Sequence, residues 1–171
     1  MNKAFVDQAS RTIFVTGGAS GIGAAIVRAH AARGDNVAFT WHSSAEGAQR
    51  LVGELGERVL ALKSDATDEA QVDAAFEQAI ARFGSIDAVV ANAGGLLKRV
   101  KCVDTSLEFW NQAMALNLST VFLSCRAGLR HMVPRKHGNI VIMASLAGHD
   151  GGGPGASHYG AAKGALLAYT R

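Results

Sequence analysis

Short apolar runs alternate along the chain with stretches of helical periodicity, and turn residues separate the two. Residues 12–16, 36–41, 58–63, 86–91 and 139–145 are short and rich in β-branched and aromatic residues, which predicts five strands, the first of them buried. Between them, helices are predicted over 22–33, closed by Gly34, and over 44–56, polar and amphipathic with Ser44 as its cap. A third is predicted over 67–83, opening at Thr67 and ending before Gly84, and a long helical region over 106–132 that Pro134 and Gly138 terminate. A glycine-rich turn covers 17–23. A loop over 147–157 holds five glycines and Pro154, and a last helix begins near His158. This alternation predicts an α/β fold. With right-handed crossovers it becomes a doubly wound parallel sheet of five strands in the order 3-2-1-4-5, with ligand at its carboxyl edge. No linker, repeat or low-complexity segment divides the chain, so residues 1–171 read as a single domain.

Composition narrows the class. A chain of 171 residues, 49% hydrophobic and 18% charged, is long and apolar enough to bury one real core. The net charge of +3 comes from scattered positives; the densest stretches, 98–101 and 130–137, read as solvated faces and no nucleic-acid partner is expected. Residues 1–11 are polar with no apolar signal core, and no run reaches the ~18–20 residues of a membrane span, so a soluble cytoplasmic protein is expected. Cys102 and Cys125 lack metal-ligand spacing and fit reduced thiols. His30, His42, His131, His137, His149 and His158 show no ligand-like spacing either. They read as surface or loop residues, of which His149 and His158 have the option of lining a pocket, and no metal is expected.

Candidate chemistry gathers at the predicted strand ends. Tyr159 and Lys163 lie four residues apart on a helix and so share a face. A phenol titrates near pH ~10 when unperturbed, and a neighbouring ammonium favours its phenolate. Ser145 precedes Tyr159 by fourteen residues and offers a hydroxyl for a carbonyl oxygen. The glycine turn contains Gly17, Ser20, Gly21, Ile22 and Gly23 in a G-x-x-x-G-x-G spacing between a strand and a helix. Glycines there let the backbone approach a phosphate, and the helix N-terminus offers free N–H groups to it. Asp65 and Ala66 follow the third strand, and Asn92, Ala93 and Gly94 the fourth. Asn117 interrupts the apolar stretch 114–118, where an amide is expensive to bury without partners. Each feature has an ordinary reading: an exposed helix pair, a turn carboxylate, a simple turn, a strand-end hydroxyl. Their convergence on one sheet edge is what points to a site.

In this order the motifs resemble the short-chain dehydrogenase/reductase family over nearly the whole chain, most closely its 3-oxoacyl-carrier-protein reductase-like and sugar- or alcohol-dehydrogenase-like members. The resemblance implies a Rossmann-like NAD(P)-binding domain that moves a hydride between cofactor and a carbonyl or secondary alcohol. It makes 16–23 the cofactor loop, Asp65 the adenine contact and Asn92-Ala93-Gly94 the family's turn. It makes Asn117, Ser145, Tyr159 and Lys163 the catalytic tetrad. Tyr159 then exchanges the proton, Lys163 lowers its pKa and holds the nicotinamide ribose, Ser145 binds the substrate oxygen, and Asn117 positions a water. Small-molecule or acyl-carrier substrates and homodimers or homotetramers are implied as well. At the end of the second strand, His42 and Ser43 stand where NAD-binding members usually carry an acid, none occurring before Glu46. NADP is therefore expected over NAD, although Ala19 and Ser20 lack the basic residue that many NADP users carry.

Three departures accompany the resemblance. Ala91 replaces the first asparagine of the common pair, and the Ser145–Tyr159 interval is one residue longer than usual. Members run to roughly 250 residues, so the chain is expected to be truncated at its C-terminus, lacking the last two strands and leaving 139–145 as an exposed apolar edge. The alternative this raises is a catalytically inactive nucleotide-binding fragment or pseudoenzyme.

Overall fold

The computed structural model describes residues 10–171; residues 1–9 of the polar N-terminal stretch lie outside the described residues. Five strands form one parallel sheet: β1 (Thr12–Val15), β2 (Asn36–Trp41), β3 (Val59–Lys63), β4 (Ala88–Ala91) and β5 (Asn139–Ile142), in the order β3-β2-β1-β4-β5. Phe14 stands opposite Ala38 on one side and Val89 on the other, so the sheet is in register about its central strand. Strand residues point alternately to two faces, and both faces are covered. Helices α1 (Gly21–Ala32) and α2 (Ala45–Leu55) pack on Ile13, Val15, Val37 and Phe39. Helices α3 (Glu69–Phe83) and α5 (Thr120–Arg135) pack on Phe14, Ala38, Leu62 and Val89. Phe14 and Phe76 stack with ring centroids 3.9 Å apart at the centre of that second layer; burying each ring contributes about 1.5–3 kcal/mol.

The structure revises several element ends. The fifth strand stops at Ile142 rather than Ser145. Met143 N–H still donates to Ala91 O at 3.1 Å, but the chain of β4 then leaves the sheet and offers no further rung. The long helical region is α4 (Leu107–Met114), a π turn over Ala115–Ser119, and α5. Ser106 caps α4, its hydroxyl accepting from Phe109 N–H at 3.1 Å. Pro134 lies inside α5 instead of ending it; in the last turn it forfeits a single backbone donor, and the helix closes two residues later on Lys136 at φ 52°. Helix α3 begins at Glu69 rather than Thr67, and Asp68 caps it, accepting from Gln71 N–H at 3.1 Å. Ser44 precedes α2 but makes no capping bond.

The predicted loop over 147–157 contains a short helix, α6 (Ala147–Asp150), before α7 (Ser157–Tyr169). These two pack backbone to backbone. A Cβ on Gly148 would lie 2.8 Å from the Lys163 carbonyl carbon, and one on Gly160 would lie 2.9 Å from Gly151 Cα. His158 is fully buried, which corrects its reading as a surface or loop residue: its partners, Leu96 and Phe109, come from distant segments. At the edge of the sheet, Val141 of β5 is 51% exposed. Among the described residues, no helix is long and apolar enough to cross a membrane.

Candidate active site at the carboxyl edge of the sheet

The turn after β1 is fixed by side chains of its neighbours. Thr16 Oγ1 accepts from the N–H groups of Asn92 and Ala93 at 2.9 and 3.0 Å. The Asn92 amide donates back to the carbonyls of Thr16 and Gly17 at 2.9 and 3.2 Å. Gly17 N–H donates to Thr40 Oγ1 at 3.2 Å, and Gly18 N–H to Thr40 O at 2.8 Å. Gly17 takes φ 66°, a conformation that favours glycine. A Cβ on Gly23 would run into the Gly17 carbonyl and lie 2.8 Å from Asn92 Nδ2. The first α1 bond runs from Ala24 N–H to Ser20 O, so the amides of Gly21, Ile22 and Gly23 are left free at a positive helix end.

This turn forms one wall of a cleft of about 420 Å³. Of the predicted site residues, Gly17, Ser20, Gly21, Ile22, Gly23, His42, Ser43, Asn92, Ala93, Gly94, Tyr159 and Lys163 line it. Ala19, inside the glycine turn, lines it too, and Trp41, Ser44, Met143 and Ala144 line it as well and were missed; their places at or just past the ends of β2 and β5 were the available signal. A tight backbone cradle with free amides, open along the sheet edge, fits a dinucleotide pyrophosphate. On the far wall, Lys163 is buried and its Nζ donates to Met143 O at 2.6 Å while lying 5.8 Å from the Tyr159 ring centroid. Burial pushes the Lys163 ammonium below the ordinary lysine value.

The remaining predicted residues do not line the cleft. Asn117 is fully buried in the π turn. Its Oδ1 accepts from Gly95 N–H at 2.9 Å, and its Nδ2 donates to Gly95 O at 2.9 Å and Ala113 O at 3.1 Å. Both amide hydrogens are therefore committed to the backbone that follows the Asn92 turn. Ser145 Oγ accepts from Ala147 N–H at 3.2 Å at the entry to α6. Asp65, with Ala66 beside it, closes a turn: its Oδ1 accepts from Thr67 N–H and Oγ1 at 2.8 and 2.7 Å. Those bonds from Thr67, helped by His42 at 3.9 Å, hold the Asp65 carboxyl below the usual range. Glu46 pairs with Arg50 at 3.0 Å, outside this cleft. Among the described residues, no cluster of three or more histidine, cysteine or acidic side chains could hold a metal ion.

Comparison with known proteins bears on the family and the fold. The family model for short chain dehydrogenase matches residues 11–171. The chain is 38% identical over 161 residues to the 3-oxoacyl-[acyl-carrier-protein] reductase FabG of Escherichia coli (strain K12), covering 92% of this chain and 63% of that protein. It is 38% identical over 174 residues to the cis-4-hydroxycyclohexanecarboxylate dehydrogenase of Sinomonas cyclohexanicum, covering 100% and 68%. A solved structure of a doubly substituted Serratia marcescens short-chain dehydrogenase/reductase superposes with a TM-score of 0.86 at 34% identity, over 93% of this chain and 65% of that one. The chain thus spans about 63% of the length of the reductase it matches. With its sheet order, its glycine turn and its relatives in agreement, the chain belongs to the short-chain dehydrogenase/reductase family, a family of oxidoreductases.

Proposed function

We propose that this chain transfers a hydride between NADP(H) and a carbonyl or secondary alcohol, with Tyr159 as the general acid/base. The observation that carries the proposal is the buried Lys163 Nζ, 5.8 Å from the Tyr159 ring, across one cleft from the glycine turn. A bound nicotinamide dinucleotide supplies the hydride chemistry. Gly17 and the free amides of 21–23 hold its pyrophosphate, and Asn92, Ala93 and Gly94 keep that turn in place. Asp65 contacts the adenine end. Tyr159 gives its proton to the substrate oxygen in reduction and takes it back in oxidation. Lys163 presents its charge to the phenol and to the ribose. Ser145 hydrogen-bonds the substrate oxygen, and Asn117, its amide committed to Gly95 and Ala113, holds the scaffold from which a water reaches Lys163.

NADP preference is supported by the lining of the cleft at the end of β2, where His42, Ser43 and Ser44 present an imidazole and hydroxyls and no carboxylate. Substrates are small carbonyl or alcohol compounds or acyl-carrier thioesters, met in the cytoplasm. Copies associate as dimers or tetramers through α5 and α7. Ser145 and Asn117 stand outside the cleft lining, which supports a second reading, a catalytically inactive nucleotide-binding pseudoenzyme. NADPH absorbance with a β-ketoester, beside fluorescence titration of both cofactors, separates them. Turnover that falls about 10²–10⁴-fold in Tyr159→Phe at unchanged cofactor Kd is expected. Binding without turnover favours the second reading, and tighter NAD than NADP binding overturns the cofactor preference.

A further inference from the structure

We propose that Arg99 is a positioning residue: with the Val100 amide and His158 it straps the loop 151–155, and with it the Tyr159 end of α7, to the segment that follows β4. The inference rests on the reading of Tyr159 as the proton-transfer residue. Tyr159 sits in the first turn of α7, and the residue before that helix, Ala156, supplies no side-chain cap. The preceding five residues are four glycines and Pro154, and the glycines all have positive φ (79°, 71°, 78° and 74°). Such a segment has wide conformational freedom, and ordering it costs about 1–2 kcal/mol per residue. Local bonds hold part of it, Gly152 N–H donating to Asp150 Oδ1 at 2.8 Å and Ala156 N–H to Gly153 O at 3.2 Å, and further restraint comes from outside.

Arg99 Nη1 donates to Gly152 O at 3.0 Å and to Pro154 O at 2.7 Å. Val100 N–H donates to Gly155 O at 2.9 Å. A Cβ on Gly155 would lie 3.1 Å from both Arg99 Cβ and Val100 N, so the two segments touch backbone to backbone. One turn further on, the buried His158 reaches the same segment: its Nε2 lies 3.1 Å from Leu96 O, and its ring meets Phe109 edge-on at 4.9 Å. Leu97, between these anchor points, takes φ 64°, a conformation a leucine adopts only when its surroundings impose it. Arg99 is exposed and makes no ion pair among the described residues, so its guanidinium is spent on two carbonyls more than fifty residues away. Arg99 and residues 151–155 do not line the cofactor cleft. The strap therefore acts on the tyrosine side of the site alone.

Arg99→Ala removes the two guanidinium bonds of the strap and, at an exposed position, leaves no cavity. Hydrogen exchange followed by NMR on wild type and variant gives the first test. Faster exchange of the Val100 and Ala156 amides by at least about tenfold, with β1 and β4 amides unchanged, is expected. Unchanged exchange at both overturns the strap whether or not the chain turns over, which keeps its failure distinct from failure of the oxidoreductase reading. In turnover, kcat falls about ten- to a hundredfold while NADP(H) Kd stays within about twofold. Millimolar guanidinium or Arg99→Lys restores part of kcat, a rescue that a merely structural loss would not give. An unchanged kcat, or a loss shared by cofactor affinity, overturns the positioning role.

Discussion

Asn117→Asp replaces one amide nitrogen by oxygen and leaves the side-chain volume unchanged, so its effect isolates hydrogen bonding. The wild-type amide is fully buried and donates to Gly95 O and Ala113 O while accepting from Gly95 N–H. Aspartate keeps the acceptor and turns its second oxygen on two carbonyl oxygens. Two bonds at about 1 kcal/mol each are lost, and stranding buried acceptors adds about 1–3 kcal/mol, giving about 3–5 kcal/mol in all. At about 2–4 °C per kcal/mol for a domain of this size, Tm drops by about 6–20 °C near neutral pH. Burial and opposed carbonyls also raise the new carboxyl above its unfolded value of about 3.9. A group raised in this way is most destabilising above its folded pKa, where it is charged. The deficit must therefore shrink as pH falls and the folded state takes up the proton. Thermal unfolding of both proteins between about pH 8 and pH 5 checks this. A deficit below about 3 °C, or one that stays constant with pH, refutes the bridging role given to Asn117.

Gly23→Ala drives a methyl into the Gly17 carbonyl, so NADP(H) Kd should rise at least about tenfold by fluorescence titration; retained affinity refutes the cradle. Burial raises the Asp35 carboxyl, but bonds from His30 at 2.8 Å and Arg11 at 3.3 Å outweigh that and leave it below its ordinary value. The stability it adds is whole above the unfolded value of 3.8 and is lost as pH falls through the lower folded one. Asp35→Asn should thus be less stable than wild type near neutrality and converge with it in acid, and parallel urea-stability curves sink the idea. Lys163 is depressed by burial, so stability should rise with pH between its folded value and 10.5, where the unfolded chain holds the proton more firmly. Lys163→Met should flatten that alkaline rise and abolish turnover; a variant that still turns over removes lysine from the mechanism.

Sheet order and most of the cofactor wall were legible because they follow from local pattern. Strands such as β1 are buried at all four positions, so their apolar runs stand out, and crossover handedness then leaves one arrangement. Strand ends carry the glycine turn and Asn92, so those residues were placed as soon as the strands were. What long-range contacts decide was not legible. His158 reads as polar and loop-like until Leu96 and Phe109 close over it. Asp65 reads as a free ligand carboxylate, yet two bonds from Thr67 occupy its Oδ1. Arg99 belonged to a basic stretch that looked solvated, and only the fold brings Gly152 and Pro154 beneath it.

The two walls of the site are held by different physics, and this sets how each tolerates change. The cofactor wall is locked by Thr16, Thr40 and Asn92, whose bonds join the ends of three adjacent strands. Its geometry is inherited from sheet register, which cannot slip by one residue without turning the core outward. The tyrosine wall has no such frame. Helix α7 rests on α6 through Gly148, Gly160 and Gly164, positions where a methyl on either side would strike backbone. Close glycine packing fixes the distance between α6 and α7, and Leu166 anchors the later turns of α7 among Ala91, Val121 and Cys125. Orientation of the Tyr159 end must come from contacts made elsewhere. The bonds from Arg99, Val100 and His158 to and from the opposite segment are what supply it.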